Sequence, residues 1–427
     1  MRRLLLPLLA LVSTTALAQT IAITGGKVVI GDGSAPIDGG TVVIANGRVI
    51  AAGSTVAIPA GAQRIDATGK WVTPGIVAGF SRIGLAGVDG VDESNDTAAK
   101  SSPFSASLDI ALAVNPDVEA ISVNRAAGVT RAVVSPDAGN AIFAGQGAVI
   151  DTGADHDPIT RARAFQFVEF GQTGASRAGG SRPAIFATFR NALAEARDYQ
   201  LGRLREDSLL KRADTAALVP VITGSQKLVV HAESATDILA VLSLKREYPT
   251  LSLVLVGVTE GWRVADRIAA AGVPVIASAV NDLPAAFDQI AATQSNVGRM
   301  KAAGVTVAIG MIDDDDTRQA MHGAQYAGNL VALTRVPGAT GLSWNDAFAA
   351  ITSKPAQAIG MGSEIGSLQP GRRGDVVIWD GDPLEVTSGV EAVWIDGVRQ
   401  PLDTRQTRLR ARYAHPQEGN LPKAYDR

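Results

Sequence analysis

The sequence predicts an α/β protein: a (β/α)8 barrel set between two short β segments, one toward each end of the chain. Three observations predict it. Strand-like runs alternate with amphipathic helix patterns through the middle of the 427 residues, which is the pattern of strand-helix units. The texture on either side is β alone, in runs too short to enclose a core of their own. Glycine (45) and proline (20) exceed ordinary usage without any G-X-Y period, as many tight connections require. A hydrophobic fraction of 46% with 19% charged residues excludes disorder and coiled coil. A doubly wound sheet is the runner-up that the same repeats allow.

Taken in order, residues 1–18 carry Arg2-Arg3, an apolar stretch from Leu4 to Val12 and Ala16-Leu17-Ala18 before Gln19, the three regions of a secretory signal. The expected mature start is Gln19, and the expected location is periplasmic or secreted. Residues 19–72 form the first β segment, with Asn46-Gly47 between apolar runs as its strongest hairpin signal; an antiparallel unit is expected. Residues 73–365 form the barrel. Trp71 to Phe80 and Val129 to Ser135 read as buried strands. From Leu228 the chain reads strand, helix, strand, helix, strand to Ala277, then a helix ending near Ala303 and a strand from Val305 to Gly310. Ser343 with Asp346 reads as a helix N-cap. Residues 366–402 return to β texture through Asp375 to Trp379 and Ala392 to Ile395, and should pair with the first segment. Residues 403–427, with Arg405, Arg408, Arg410 and Arg412, read as a solvated tail or peripheral helix.

Composition limits the chemistry. A net charge of −3 supplies no counterion-release drive toward nucleic acid. Absence of cysteine removes disulfides, Cys-ligated zinc, iron-sulfur clusters and a thiol nucleophile. No stretch is long enough for a membrane span. Four histidines remain: His156, His231, His322 and His415.

The junction Trp71-Val-Thr-Pro-Gly-Ile76, the stretch Asp214 to Gly224 leading to Val230-His231-Ala232, Thr259-Glu260 with Gly272 to Val275, and Ile365 to Gly371 through Gly374-Asp375-Val376 together resemble the metal-dependent amidohydrolase superfamily, in its imidazolonepropionase-like branch. The resemblance runs over nearly the whole mature chain. It implies a TIM-like barrel inserted in a composite β-sandwich built from both chain ends, and hydrolysis of C–N bonds by a water activated on zinc or another divalent ion at the C-terminal rim.

On that resemblance the ligand positions depart from the family. Its first-strand His-x-His is here Phe80-Ser81-Arg82, preceded by Ala78. His231 matches the histidine of the fifth strand, but the sixth-strand histidine falls on Gly257 and the eighth-strand aspartate on Ile312, with Asp313 one residue late. Loss of two imidazoles and an inward guanidinium disfavour a bound cation, so no metal is expected at full occupancy. The pocket candidates are Phe80, Arg82, His231, Glu233 and Asp313. A small-molecule ligand is expected, anionic if Arg82 points inward, and homo- or hetero-oligomerisation stays open. His231 with Glu233 offers a general-base pair. Asp313 to Asp316 reads as a loop before a helix rather than a calcium site. Gly139 to Gly147 reads as a turn near the rim, Asp155-His-Asp-Pro158 as a turn, and Ser208-Leu-Leu-Lys211 as a chance Ser-x-x-K on a surface helix. Two functions compete: an exported C–N hydrolase with an altered site, and a catalytically silent homologue serving as a ligand-binding or partner subunit.

Overall fold

Strands from the two ends of the chain form one mixed sheet. The computed structural model describes residues 20–88, 90–203, 207–312 and 318–414; the leader, Asp313 with the acidic run to Asp316, and His415 lie outside the described residues. The first sheet takes β1 (Ile21–Val28), β2 (Ile37–Ala45), β3 (Arg48–Gly53), β4 (Gln63–Asp66) and β5 (Trp71–Pro74). The barrel is β6 (Ile76–Ser81), β7 (Val129–Val134), β8 (Phe143–Asp151), β9 (Ile159–Glu169), β10 (Lys227–Ala232), β11 (Ser252–Gly257), β12 (Val275–Ala277) and β13 (Val307–Ile309). The chain then returns as β14 (Val376–Trp379), β15 (Val390–Ile395) and β16 (Val398–Arg399).

The first sheet is ordered β16-β15-β14-β5-β1-β2-β3, with β4 beside β1. Asn46 and Gly47, at φ of 53° and 73°, make the β2–β3 hairpin, the left-handed pair that a two-residue turn needs. The N-terminal segment is not purely antiparallel, because β4 and β5 run parallel to β1; the connection from Ser54 is long enough to cross over. The join between the two ends is β5 on β14, where Val72 faces Ile378 and the Trp379 indole donates to Thr73 Oγ1 at 2.9 Å. Ile23, Ile44 and Val72 from one end share a core with Val376, Ile378 and Trp394 from the other.

Alternation along the strands fixes which side chains fill the barrel. Val229, Val254, Val256, Phe165 and Phe167 form the interior cluster, while Leu228, Val230, Leu253 and Leu255 face the outer layer of helices. The order runs β13 back to β6, and Met311 N–H donates to the Phe80 carbonyl at 3.0 Å, bringing the two edges together as a barrel rather than an open doubly wound sheet.

Three further expectations change. The buried run from Trp71 to Phe80 is two strands in two sheets, crossing at Gly75, whose N–H donates to the Asp375 carbonyl at 3.1 Å. The Gly139 to Gly147 stretch is a rim loop only as far as Ile142. From Phe143 it is β8, antiparallel to both β7 and β9, so one βα repeat is replaced by a hairpin that turns through Asp155 to Pro158. Glycine masked the strand: a Cβ on Gly147 would lie 2.0 Å from the Phe165 ring, so the ring fills the barrel only because that position is bare. Ser208 to Lys211 precedes the helix Arg212–Ala217 instead of lying on one, and Ser208 Oγ donates to the buried Glu195 at 2.5 Å.

The two parts of the molecule are tied by Arg131, on β7 and 0% exposed. Its guanidinium reaches Asp375 through Nε at 2.8 Å and Nη2 at 2.8 Å, Asp396 at 2.8 Å, Thr160 at 2.7 Å and Asp151 at 3.4 Å. Burial opposes its charge, but Asp375 and Asp396 outweigh that and hold it protonated. In the tail, the helix Arg405–Tyr413 is capped by Thr404, and its Arg405 amide is held by Glu119 at 2.9 Å. None of its residues is buried. Among the described residues no helix is long and apolar enough to cross a membrane.

Candidate functional site

Side chains at the C-terminal ends of barrel strands face the mouth. There they line a cavity of about 470 Å³. β9 brings Phe165, Phe167 and then Glu169 inward, and β10 brings Val229 and then His231. Parallel register sets His231 directly beside Glu169. Two residues past His231, Glu233 curls back from the turn that follows the strand.

These three make a continuous chain of hydrogen bonds. His231 Nδ1 lies 2.7 Å from Glu169 Oε2, and Nε2 lies 2.8 Å from Glu233 Oε1. With a carboxylate on each nitrogen, both nitrogens donate, and the ring is an imidazolium. Burial opposes that charge, yet the two glutamates outweigh it and raise the His231 pKa well above its ordinary value. Burial likewise pushes Glu233 up, while the bonds from His231 and from the Thr259 amide at 2.9 Å hold it below the usual range.

The turn after β11 explains how Glu233 comes to be there. Gly257 has φ of 87°, and a Cβ on it would meet Glu233 Oε1 at 2.3 Å and the His231 ring at 2.8 Å. The carboxylate of Glu233 therefore occupies the volume that a side chain at 257 would need. Val258 follows at φ of 59°, a left-handed β-branched residue of the kind that stores ~1–3 kcal/mol of strain. Asn296 Nδ2 at 2.9 Å and the Gly261 amide at 2.8 Å, both donating to the Val258 carbonyl, hold it.

Arg82 enters the cavity from the end of β6 with its Nη2 3.3 Å from Asp137. Asp288 enters from the loop after β12, accepting from the Gln172 amide at 3.1 Å. Of the sequence candidates, Arg82, His231 and Glu233 thus converge. Phe80 does not line the cavity: it is 1% exposed and packs 5.6 Å from Phe167, one interior layer below Glu169, because alternation sends it into the barrel rather than to its rim. Asp313 lies outside the described residues. His156 sits exposed on the β8–β9 turn, 3.8 Å from Asp117, and His322 contacts Tyr326 edge-on; neither reaches the mouth.

Sequence reading missed Glu169, Asp137 and Asp288. A signal existed for Glu169, as a carboxylate closing the alternation of Phe165 and Phe167 on one strand face. None existed for Asp288, which a loop delivers. The sequence expectation is an anionic ligand if Arg82 points inward and does not pair with an acidic neighbour. Arg82 stands beside Asp137, and among the described residues the lining sets Arg82, Arg177 and His231 against Asp137, Glu169, Glu233 and Asp288.

The donor set does not fit the divalent ion that the fold implies. A metal takes the lone pair of a neutral imidazole, and both His231 nitrogens are committed to carboxylates. Phe80 and Gly257 offer no donor, and among the described residues no three acidic or imidazole groups are arranged to hold an ion. A cavity of about 530 Å³ on the mixed sheet is larger; its lining sets Ile21, Ile44, Ile378 and Trp394 beside Asp66, Lys70, Glu391 and Asp396, with no histidine among them.

Residues 261–399 match the model of the amidohydrolase family. The chain is 24% identical over 384 residues to the amidohydrolase TasK of Hapsidospora irregularis, covering 80% of this chain and 38% of that one. It is 29% identical over 229 residues to the imidazolonepropionase of Maricaulis maris strain MCS10, covering 52% of this chain and 50% of the relative. It therefore spans half or less of the length of each. The fold is shared with an amidohydrolase from Thermotoga maritima MSB8, at a TM-score of 0.78 and 23% identity over 89% of this chain and 99% of that one. It is shared more loosely with molinate hydrolase, at 0.54 and 18% over 95% and 99%. The amidohydrolase family match runs from the turn after β11 into the returning strands, and the barrel with its composite sheet is the fold of the solved amidohydrolase from Thermotoga maritima.

Proposed function

We propose that this chain is a member of the amidohydrolase superfamily that binds a small molecule at the barrel mouth and does not hydrolyse C–N bonds through a metal-activated water. One observation carries the reading: both nitrogens of His231, the only histidine at the mouth among the described residues, are spent on Glu169 and Glu233. Gly257 supports it, since the space of a further ligand is filled by Glu233. Arg82 with Asp137 adds a fixed ion pair where Lewis acidity would be needed. We also propose that the protein acts outside the cytoplasm, on the strength of Arg2-Arg3, the apolar Leu4 to Val12 and the small residues before Gln19.

The names of the relatives point the other way, toward hydrolysis, and one experiment separates the two. Elemental analysis of the purified protein should find far less than one zinc or similar ion per chain, with no amidase rate above background. Stoichiometric metal, lost together with a measurable rate in His231→Ala, would return the chain to the hydrolases. Mass spectrometry of the exported protein should begin at Gln19, and a full-length form retained in the cytoplasm would remove the export proposal.

A further inference from the structure

We propose that the helix Arg405–Tyr413 is a docking surface for a membrane of anionic phospholipid. None of its residues lines the barrel mouth, so what binds there has no bearing on it. The helix reads Arg-Gln-Thr-Arg-Leu-Arg-Ala-Arg-Tyr, with four arginines and no acidic residue. All of its residues are exposed, and no carboxylate among the described residues forms an ion pair with any of the four guanidiniums. The chain as a whole carries a net charge of −3, so the helix is a basic island on an otherwise acidic molecule. Nothing else in the fold explains why it forms. A helix this short falls below the ~12–15 residues that an isolated one needs in water, and short helices in proteins are stabilised by burying a face. This one buries no residue, and Arg408 and Arg412, one turn apart, repel each other. Only its start is fixed, by the Thr404 capping box and by the Arg405 amide donating to Glu119 at 2.9 Å.

The arrangement of side chains names the partner. At 3.6 residues per turn, Arg408, Arg412, Arg405, Leu409 and Tyr413 follow one another round about 140° of the circumference. Arg410 lies just beyond, and the small Thr407 and Ala411 take the back. Leu409 is 36% exposed and Tyr413 is 63% exposed. Guanidiniums beside an aliphatic and an aromatic side chain match the boundary between headgroups and acyl chains. There the arginines bind phosphate bidentately, Leu409 enters the acyl edge, and Tyr413 keeps its hydroxyl among the headgroups. Phosphate also removes the repulsion along the helix. A nucleic acid would satisfy the arginines but leave Leu409 unmatched, and the acidic remainder of the molecule would repel the length of such a polyanion.

Co-sedimentation with vesicles tests this, using the chain from Gln19 onward so that the apolar leader does not itself bind lipid. Vesicles of equal parts phosphatidylglycerol and phosphatidylcholine should take up the protein, vesicles of phosphatidylcholine alone should not, and salt well above physiological strength should release it. Arg408→Gln with Arg412→Gln should lower the partition constant roughly thirtyfold, at about fivefold for each arginine. Leu409→Ala with Tyr413→Ala should lower it about tenfold while leaving its salt dependence unchanged. Because none of these side chains is buried, neither variant should move the thermal midpoint, which separates lost binding from lost fold. Absence of binding to the anionic vesicles, equal uptake by the neutral ones, or uptake that persists in the arginine variant would each overturn the proposal. A DNA duplex bound more tightly than the anionic vesicles, and bound equally well after Leu409→Ala with Tyr413→Ala, would assign the helix to nucleic acid instead.

Discussion

His231 carries its second proton because each neighbour supplies a carboxylate, so removing either neighbour should release it. In Glu169→Gln the imidazole pKa should fall toward ordinary values, and nuclear magnetic resonance of the ring protons through a pH titration measures it; an unchanged titration would mean that the ion chain does not set the charge. The sign for stability follows. A histidine with raised pKa contributes stability that is complete below its unfolded value of ~6.5 and is lost as pH rises through the higher folded value, so the Glu169→Gln penalty should shrink in alkali. Gly257 gives a second test at this scale. Gly257→His should lower the thermal midpoint, losing ~1–3 kcal/mol to the left-handed backbone alone and more to Glu233, which stands 2.3 Å from the new Cβ. Gly257→His with Glu233→Ala should recover the part due to collision. Equal midpoints for the single and double variants would show that Glu233 does not occupy that space. His231 itself was legible in the sequence, whereas its partner Glu169 was not, because sixty-two positions separate them and only the register of β9 on β10 sets them side by side.

At the scale of elements, the β8–β9 hairpin replaces a strand-helix unit, and its base bears on Arg131. Asp151, the last residue of β8, is pushed by burial up to about 6 despite Arg131 beside it. A carboxyl whose folded pKa is raised stabilises the fold fully below its unfolded value, near pH 4, and that contribution is lost as pH rises through 6. Asp151→Asn keeps the acceptor that Gly153 N–H uses at 2.9 Å. It should therefore be near neutral at pH 4 and more stable than the parent at pH 7.5, by up to ~3 kcal/mol for a shift of about two units. Parallel denaturation curves at the two pH values decide it, and a variant less stable at pH 7.5 would mean that the Arg131 contact outweighs burial. Most helices and strands after Leu228 were legible because period and capping agreed, as at Ser343, whose hydroxyl accepts from the Asp346 amide at 3.1 Å. β8 was not, because its glycines read as turn residues while their bareness served Phe165.

For the whole molecule, the pairing of both chain ends was legible from two β segments too small to stand alone, and the order of pairing was not, since nothing local says that β5 should meet β14. Removal of the chain after Gly366 takes away β14, β15 and the Asp375 and Asp396 partners of Arg131. Amide exchange in residues 20–74 should then accelerate by orders of magnitude, while protection in β10 and β11 should fall less. Unchanged exchange in β1 and β2 would mean that the N-terminal strands hold themselves together.

The same join has a consequence in time. Thr73 and Trp379 meet across 306 positions of chain, and a ribosome adding ~5–20 residues per second needs roughly 15–60 s to supply the second partner after the first. Through that interval Val72 and its neighbours wait with an open edge and an apolar face, the two features that invite pairing with the wrong strand. The last strands made are the ones that cover the first, so a nascent chain that stalls late in synthesis carries a finished barrel interior and an unfinished, adhesive start.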